Sequence, residues 1–210
     1  MSGSLPDESL TRAPDTRAAH VRSLAFLTPD EHRSLAAACD RLIPPLDEHP
    51  GAAALGVADY IDTLLGAFTF TPPRIWAGGP YSGRAGGEPS FGQFMALSRV
   101  EELAWRTRIE GSAGFAEREF NGPVVGWQER YRTGLATLGA DFADQAVEEQ
   151  DRRLDLDPAF KHLVYQHACE GAYGAPEYGG NRATAGWRAI EFEGDVQPRG
   201  YTDAQVSGRE

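Results

Sequence analysis

Residues 28–45 read Thr28-Pro29-Asp30-Glu31-His32-Arg33-Ser34-Leu35-Ala36-Ala37-Ala38-Cys39-Asp40-Arg41-Leu42-Ile43-Pro44-Pro45, and every local signal in them is helical. Thr28 offers a hydroxyl to cap the first turn, Pro29 suits the first helical position, and Glu31 stands where a capping box needs its acid. Leu35, Ala38, Cys39, Leu42 and Ile43 then fall on one face. The two prolines end the run, because the ring removes a donor and pushes the preceding residue out of the α region.

Working outward, a Pro50-Gly51 turn leads to a second periodic run, Val57, Tyr60, Ile61, Leu64, Leu65 and Phe68, with Asp59 and Asp62 on the opposite side. The two runs are expected to form an antiparallel helix pair. Thr71 to Ser90 is a Gly/Pro-rich loop around Trp76 and Tyr81; it has no lysine and no preceding strand, so it does not read as a phosphate loop. Helical spacing returns with Phe91, Phe94, Leu97, Val100 and Ala104, and again with Trp127, Tyr131, Leu135 and Leu138, on either side of an Asn121-Gly122-Pro123 turn. Asp157-Pro158 opens the last long helix, which carries Phe160, Leu163, Val164, His167 and Ala168 and is expected to end near Gly171. Period-two alternation is essentially absent. The expected fold is therefore all-α, five to six helices around one core, with a long central Gly/Pro-rich loop and an irregular C-terminal segment. Residues 1–25 read as a flexible arm, 26–200 as a single helical domain and 201–210 as a polar tail.

Composition limits the partners. A formal charge of -11 argues against binding to nucleic acid or to an anionic membrane surface. The longest apolar stretch, Ala52 to Phe68, is interrupted by Asp59 and Asp62, so no membrane insertion is expected. Met1 to Asp30 contains neither an apolar signal run nor a twin-arginine pair followed by one, and the expected location is the cytoplasm. Cys39 and Cys169 are too few for a disulfide scaffold and are expected to be unpaired with each other.

Signals for chemistry are sparse. His167 and Glu170 have the i, i+3 spacing of di-metal bundles, yet no second Glu-x-x-His motif accompanies them, so no metal site and no catalytic residue is assigned. No Gly-x-Ser-x-Gly elbow, Cys-x-x-Cys or dinucleotide fingerprint appears, and no cofactor is expected in this chain. Asp40 and Arg41 are placed to hydrogen-bond across the turn after the first helix. The stretch from Gly171 to Trp187 instead combines five glycines with Tyr173, Tyr178 and Trp187, a composition suited to close contact. Two readings follow: a surface gripped by a partner, or a cap folded over the chain's own domain. From Gly186 onward, Trp187, Ile190 and Phe192 are expected to form a short extended piece.

Several of these residues together resemble a known family. Asp40-Arg41-Leu42-Ile43-Pro44, Pro50-Gly51-Ala52, Gly56-Val57, Tyr60-Ile61-Asp62, Pro176-x-Tyr178-Gly179-Gly180-Asn181 and Gly186-Trp187 are similar to the gluconate 2-dehydrogenase subunit 3 family, over most of the chain after Leu27. The resemblance implies a small non-catalytic subunit whose large partner is a glucose-methanol-choline type sugar or polyol dehydrogenase. FAD would sit in that partner, and electrons would leave in some complexes through a cytochrome or another acceptor. Family members commonly carry a twin-arginine signal, a pattern from which this sequence departs. The expected partner interface comprises Tyr173, Pro176, Tyr178, Gly179, Gly180, Asn181 and Trp187, with Trp76 and Tyr81 from the central loop. Two other readings stay open: a stand-alone enzyme with a pocket between that loop and the C-terminal segment, using His167 or Glu170 as acid or base, and a helical homo-oligomer.

Overall fold

The computed structural model describes residues 23–77 and 95–193. Among these residues the chain is all-α, without strands, and contains seven α-helices where five to six were expected. They are α1 (Pro29–Leu42), α2 (Val57–Leu65), α3 (Arg99–Glu110), α4 (Trp127–Leu138), α5 (Val147–Asp155), α6 (Pro158–Tyr173) and α7 (Ala185–Ala189). The first helix begins as its sequence dictates, with the Thr28 amide donating to Glu31 Oε2 at 2.8 Å and the Glu31 amide to Thr28 Oγ1 at 3.3 Å.

The additional helices have physical reasons. Helix α5 has only Leu154 and Gln150 buried, so its largely polar sequence offers few apolar residues from which to read a helical face. Helix α7 lies where an extended piece was expected. It is a short helix, Ala185-Gly186-Trp187-Arg188-Ala189, held by the burial of Trp187. Helix α3 starts at Arg99, where Ser98 and Glu101 form a second capping box. Phe91 and Phe94 lie outside the described residues. Helix α6 runs on to Tyr173, two residues beyond the expected end.

The core forms where α1, α2 and α6 meet, with α4 and α5 closing its sides. Leu35, Ala38 and Cys39 of α1 pack with Ile61 and Leu65 of α2, Tyr131 and Leu135 of α4, and Phe160, Val164 and Ala168 of α6. Each large apolar side chain removed from water here contributes about 1.5–3 kcal/mol. A smaller cluster of Leu64, Ala67, Ile75 and Ile109 joins α2 to α3.

Asp62 departs from its expected place on a polar face. It is buried, and its carboxylate accepts the amides of Ala25, Phe26 and Leu27 at 2.7, 3.0 and 2.8 Å, fixing the chain entering α1. A carboxylate surrounded by three N–H donors is compensated for its loss of water. Asp59 bonds His32 Nε2 at 2.8 Å and pairs with Arg182, so it links α1 and α2 to the C-terminal segment. Asp40 does bond across the turn, accepting the Ala53 amide at 2.7 Å, whereas Arg41 reaches α5 and grips Asp151 with two bonds.

Candidate functional site

The segment from Gly174 to Ala189 is folded onto helices α2 and α6. Asn181 is fully buried; its amide donates to the Gly174 carbonyl at 2.9 Å and its side-chain oxygen accepts the Gly186 amide at 2.9 Å. The side chain thereby closes a loop that the backbone alone would leave unsatisfied. Trp187 is buried, donates from its indole nitrogen to the Tyr173 carbonyl at 2.6 Å, and meets Phe192 edge-on at 5.2 Å. Gly180 and Gly186 lie so close to the carbonyls of Gly171 and Ala172 that a Cβ at either position would collide with backbone. Asn181, Ala183 and Thr184 all adopt the left-handed region, a conformation unfavourable for residues other than glycine and held by the contacts around it.

The expected interface residues thus divide. Gly180, Asn181 and Trp187 are turned into the chain's own interior. Tyr173, Pro176, Tyr178, Gly179 and Trp76 are half-buried, and Tyr178 lies 5.7 Å from Trp76, ring centre to ring centre. Tyr173 hydrogen-bonds His49 Nε2 at 3.1 Å. Tyr81 lies outside the described residues.

Beside Tyr178 and Trp76 opens a cavity of about 470 Å³ between α2, α3, α4 and α6. Its walls include the rings of Trp76, Trp105, Trp127, Tyr60 and Tyr178, and Arg74, Arg108 and Arg130 are also in the lining. Two of the tryptophans and two of the arginines come as matched pairs, Trp105-x-x-Arg108 on α3 and Trp127-x-x-Arg130 on α4. At i, i+3 spacing each pair occupies one helix face. The indoles meet edge-on at 6.2 Å, and the Arg108 guanidinium lies over both, 4.8 Å from Trp105 and 5.7 Å from Trp127. The pairs are 22 residues apart, which is why neither draws attention in the sequence.

His167 and Glu170 both line this cavity, but each is engaged with a tyrosine. His167 Nδ1 bonds the Tyr131 hydroxyl at 3.0 Å, and the imidazole stands edge-on to Trp127 at 4.4 Å. Burial, reinforced by the Arg130 charge, lowers its pKa to about 4, so it is neutral near pH 7. Glu170 accepts the Tyr60 hydroxyl at 2.9 Å, and burial together with that carboxylate pushes the phenol well above its ordinary range. The i, i+3 spacing therefore serves packing. Among the described residues no three His, Cys, Asp or Glu side chains gather as a metal ion would require.

One further surface escaped the sequence reading. The connection between α3 and α4 exposes Phe115, Phe120, Val124 and Val125, with Phe120 92% exposed. Its signal was an apolar cluster without helical or alternating spacing around Gly122. No described helix is long and apolar enough to cross a membrane.

No curated protein and no solved structure matches the chain. The family model described as gluconate 2-dehydrogenase subunit 3 matches residues 29–194, from the first residue of α1 to just beyond α7. That span takes in the capped first helix, the Asp62 anchor, the aromatic cavity and the Asn181–Trp187 fold-back, and the chain belongs to the gluconate 2-dehydrogenase subunit 3 family.

Proposed function

We propose that this chain is the small subunit that clamps and stabilises a FAD-dependent sugar or polyol dehydrogenase of the glucose-methanol-choline type. The observation carrying this reading is the family match across residues 29–194. The chain is the non-catalytic, accessory member of its complex. FAD, the oxidation of substrate and the onward passage of electrons to a cytochrome or another acceptor belong to the partner chains.

Within this reading the grip is divided between two kinds of residue. Tyr178, Pro176 and Trp76 offer partly accessible faces to the partner. Asn181, Gly180 and Trp187 hold the backbone that presents them, and Tyr173 and Gly179 connect the two sets. The large amphipathic rings favour this assignment, because Tyr and Trp dominate interface energetics.

The test is capture of the tagged full chain from its own host, with visible absorbance and sizing of what accompanies it. The expected result is a larger chain carrying stoichiometric flavin, and a colourless protein when this chain is purified alone. Stoichiometric flavin retained by the isolated chain, or capture of the chain with no flavoprotein, would overturn the proposal.

A further inference from the structure

We infer that the cavity between α2, α3, α4 and α6 is a binding site for a small, flat, ring-bearing carboxylate. Its construction is specific for a pocket in a strongly acidic chain. The protein carries a formal charge of -11, yet this lining holds the guanidinium groups of Arg108 and Arg130, besides that of Arg74, which lies over the Phe70 ring, and a single carboxylate, Glu170, which already accepts the Tyr60 hydroxyl. An arginine fork matches the two oxygens of a carboxylate. Arg108 stacks on Trp105 and Trp127, an arrangement that orders a guanidinium while leaving its in-plane donors for hydrogen bonding.

The walls account for the rest of the ligand. Trp105, Trp127, Trp76 and Tyr178 are contributed by four different stretches of the chain, and rings meeting at about 4.5–7 Å attract edge-on or offset. His167, neutral near pH 7, adds no charge, so the arginines alone select for an anion. A cavity of about 470 Å³ falls within the range typical of small-molecule sites. The repeated Trp-x-x-Arg pairing on α3 and α4 combines ring and charge on both helices, which matches a ligand carrying both. This inference does not depend on the identity of the partner subunit, because the site lies wholly within this chain.

The experiment uses the full chain labelled with 5-fluorotryptophan, titrated with 2-naphthoate and followed by fluorine NMR and calorimetry. Three of its four tryptophans line the cavity and Trp187 does not, so the resonances of Trp76, Trp105 and Trp127 are expected to move with saturation while that of Trp187 stays. The neutral 2-naphthamide has the same ring without the charge, and is expected to bind at least about tenfold more weakly. Arg108→Gln and Arg130→Gln, both at exposed positions, are each expected to weaken 2-naphthoate about tenfold with helical content unchanged. Absence of saturable shifts at millimolar ligand, shifts at Trp187 alone, equal affinity for acid and amide, or full affinity in both arginine variants would each overturn the site. Failure here leaves flavoprotein capture unaffected, and failure of capture leaves these titrations unaffected.

Discussion

The two halves of the glycine-rich C-terminal segment share a composition but are built for different tasks. From Gly180 to Trp187 the Asn181 side chain is fully buried, the Trp187 indole nitrogen is bonded to a main-chain carbonyl, and glycines allow backbone to touch backbone. From Gly174 to Gly179, together with Trp76, the residues stay half-buried, and Tyr178 and Trp76 border a cavity. Aromatic and glycine content therefore signals close packing without saying against what. Burial and hydrogen bonding decide which half anchors the segment and which half is available to another molecule.

The largest expected effect breaks the first half. Trp187→Ala removes a buried indole and its bond to the Tyr173 carbonyl, and should cost about 3–5 kcal/mol of stability in the isolated chain. Asn181→Ala should be comparably damaging, since it leaves the Gly174 carbonyl and the Gly186 amide unsatisfied inside the protein. Urea unfolding of the purified variants measures both. Wild-type stability in Trp187→Ala would mean that the segment does not anchor the fold.

A somewhat smaller effect concerns the cavity wall behind the second half. Folding lowers the His167 pKa from 6.5 to about 4, first through burial and then through Arg130, so the unfolded chain binds a proton that the folded chain refuses. The stabilisation associated with neutral His167 is complete above about pH 6.5 and is lost as the pH falls towards 4, amounting to about 3 kcal/mol over that window. In His167→Gln this pH dependence should be missing, so the stability gap between variant and wild type should narrow on acidification. Parallel stability curves from pH 7 to 4 would refute the assignment. Carboxylates paired with arginine, such as Glu149 with Arg152 and Arg153, lose their support at lower pH and do so equally in both proteins.

How far the sequence discloses these features follows from the range of the interactions. The Thr28 cap, the Pro44-Pro45 stop and the apolar face of α1 are settled within a few residues, and they read correctly from the chain alone. Ser98 and Glu101 form an equally local box, and the start of α3 was legible in principle; the apolar spacing through Phe91 and Phe94 obscured it. Asp62 was not legible as an anchor, because the amides it binds lie 35 to 37 residues earlier. Helix α7 owes its existence to tertiary contacts of Trp187 and Asn181, for which propensity gives no sign. The aromatic cavity requires side chains from six stretches of the chain, so only its paired Trp-x-x-Arg units were present to be read.

Smaller again is the effect expected in the accessible half. Tyr178→Ala should change the stability of the isolated chain by less than about 1 kcal/mol, while the affinity for the large subunit falls about thirtyfold, equivalent to about 2 kcal/mol. Measuring both quantities on one variant sharpens the contrast with Trp187→Ala, whose binding loss should follow its folded fraction. Undiminished affinity in fully folded Tyr178→Ala would move the partner interface elsewhere. The exposed Phe115, Phe120, Val124 and Val125 surface is then the alternative to examine.

The smallest expected effect shows the same contrast in two thiols. Cys39 and Cys169 are both free; Cys39 is fully buried in α1, and burial pushes its thiol well above the ordinary range, whereas Cys169 on α6 is half-buried. A thiol reacts as its thiolate, so a buried, protonated group reacts only when the structure opens locally. In the native chain at pH 8 a disulfide reagent should modify one cysteine rapidly and leave the other intact, and in denaturant it should modify two. Cys39→Ala should cost about 1 kcal/mol through lost packing, and Cys169→Ala within about 0.5 kcal/mol. Two equally fast thiols in the folded protein would show that α1 does not seal its core face, and two unreactive thiols after denaturation without reductant would require an oxidised pair.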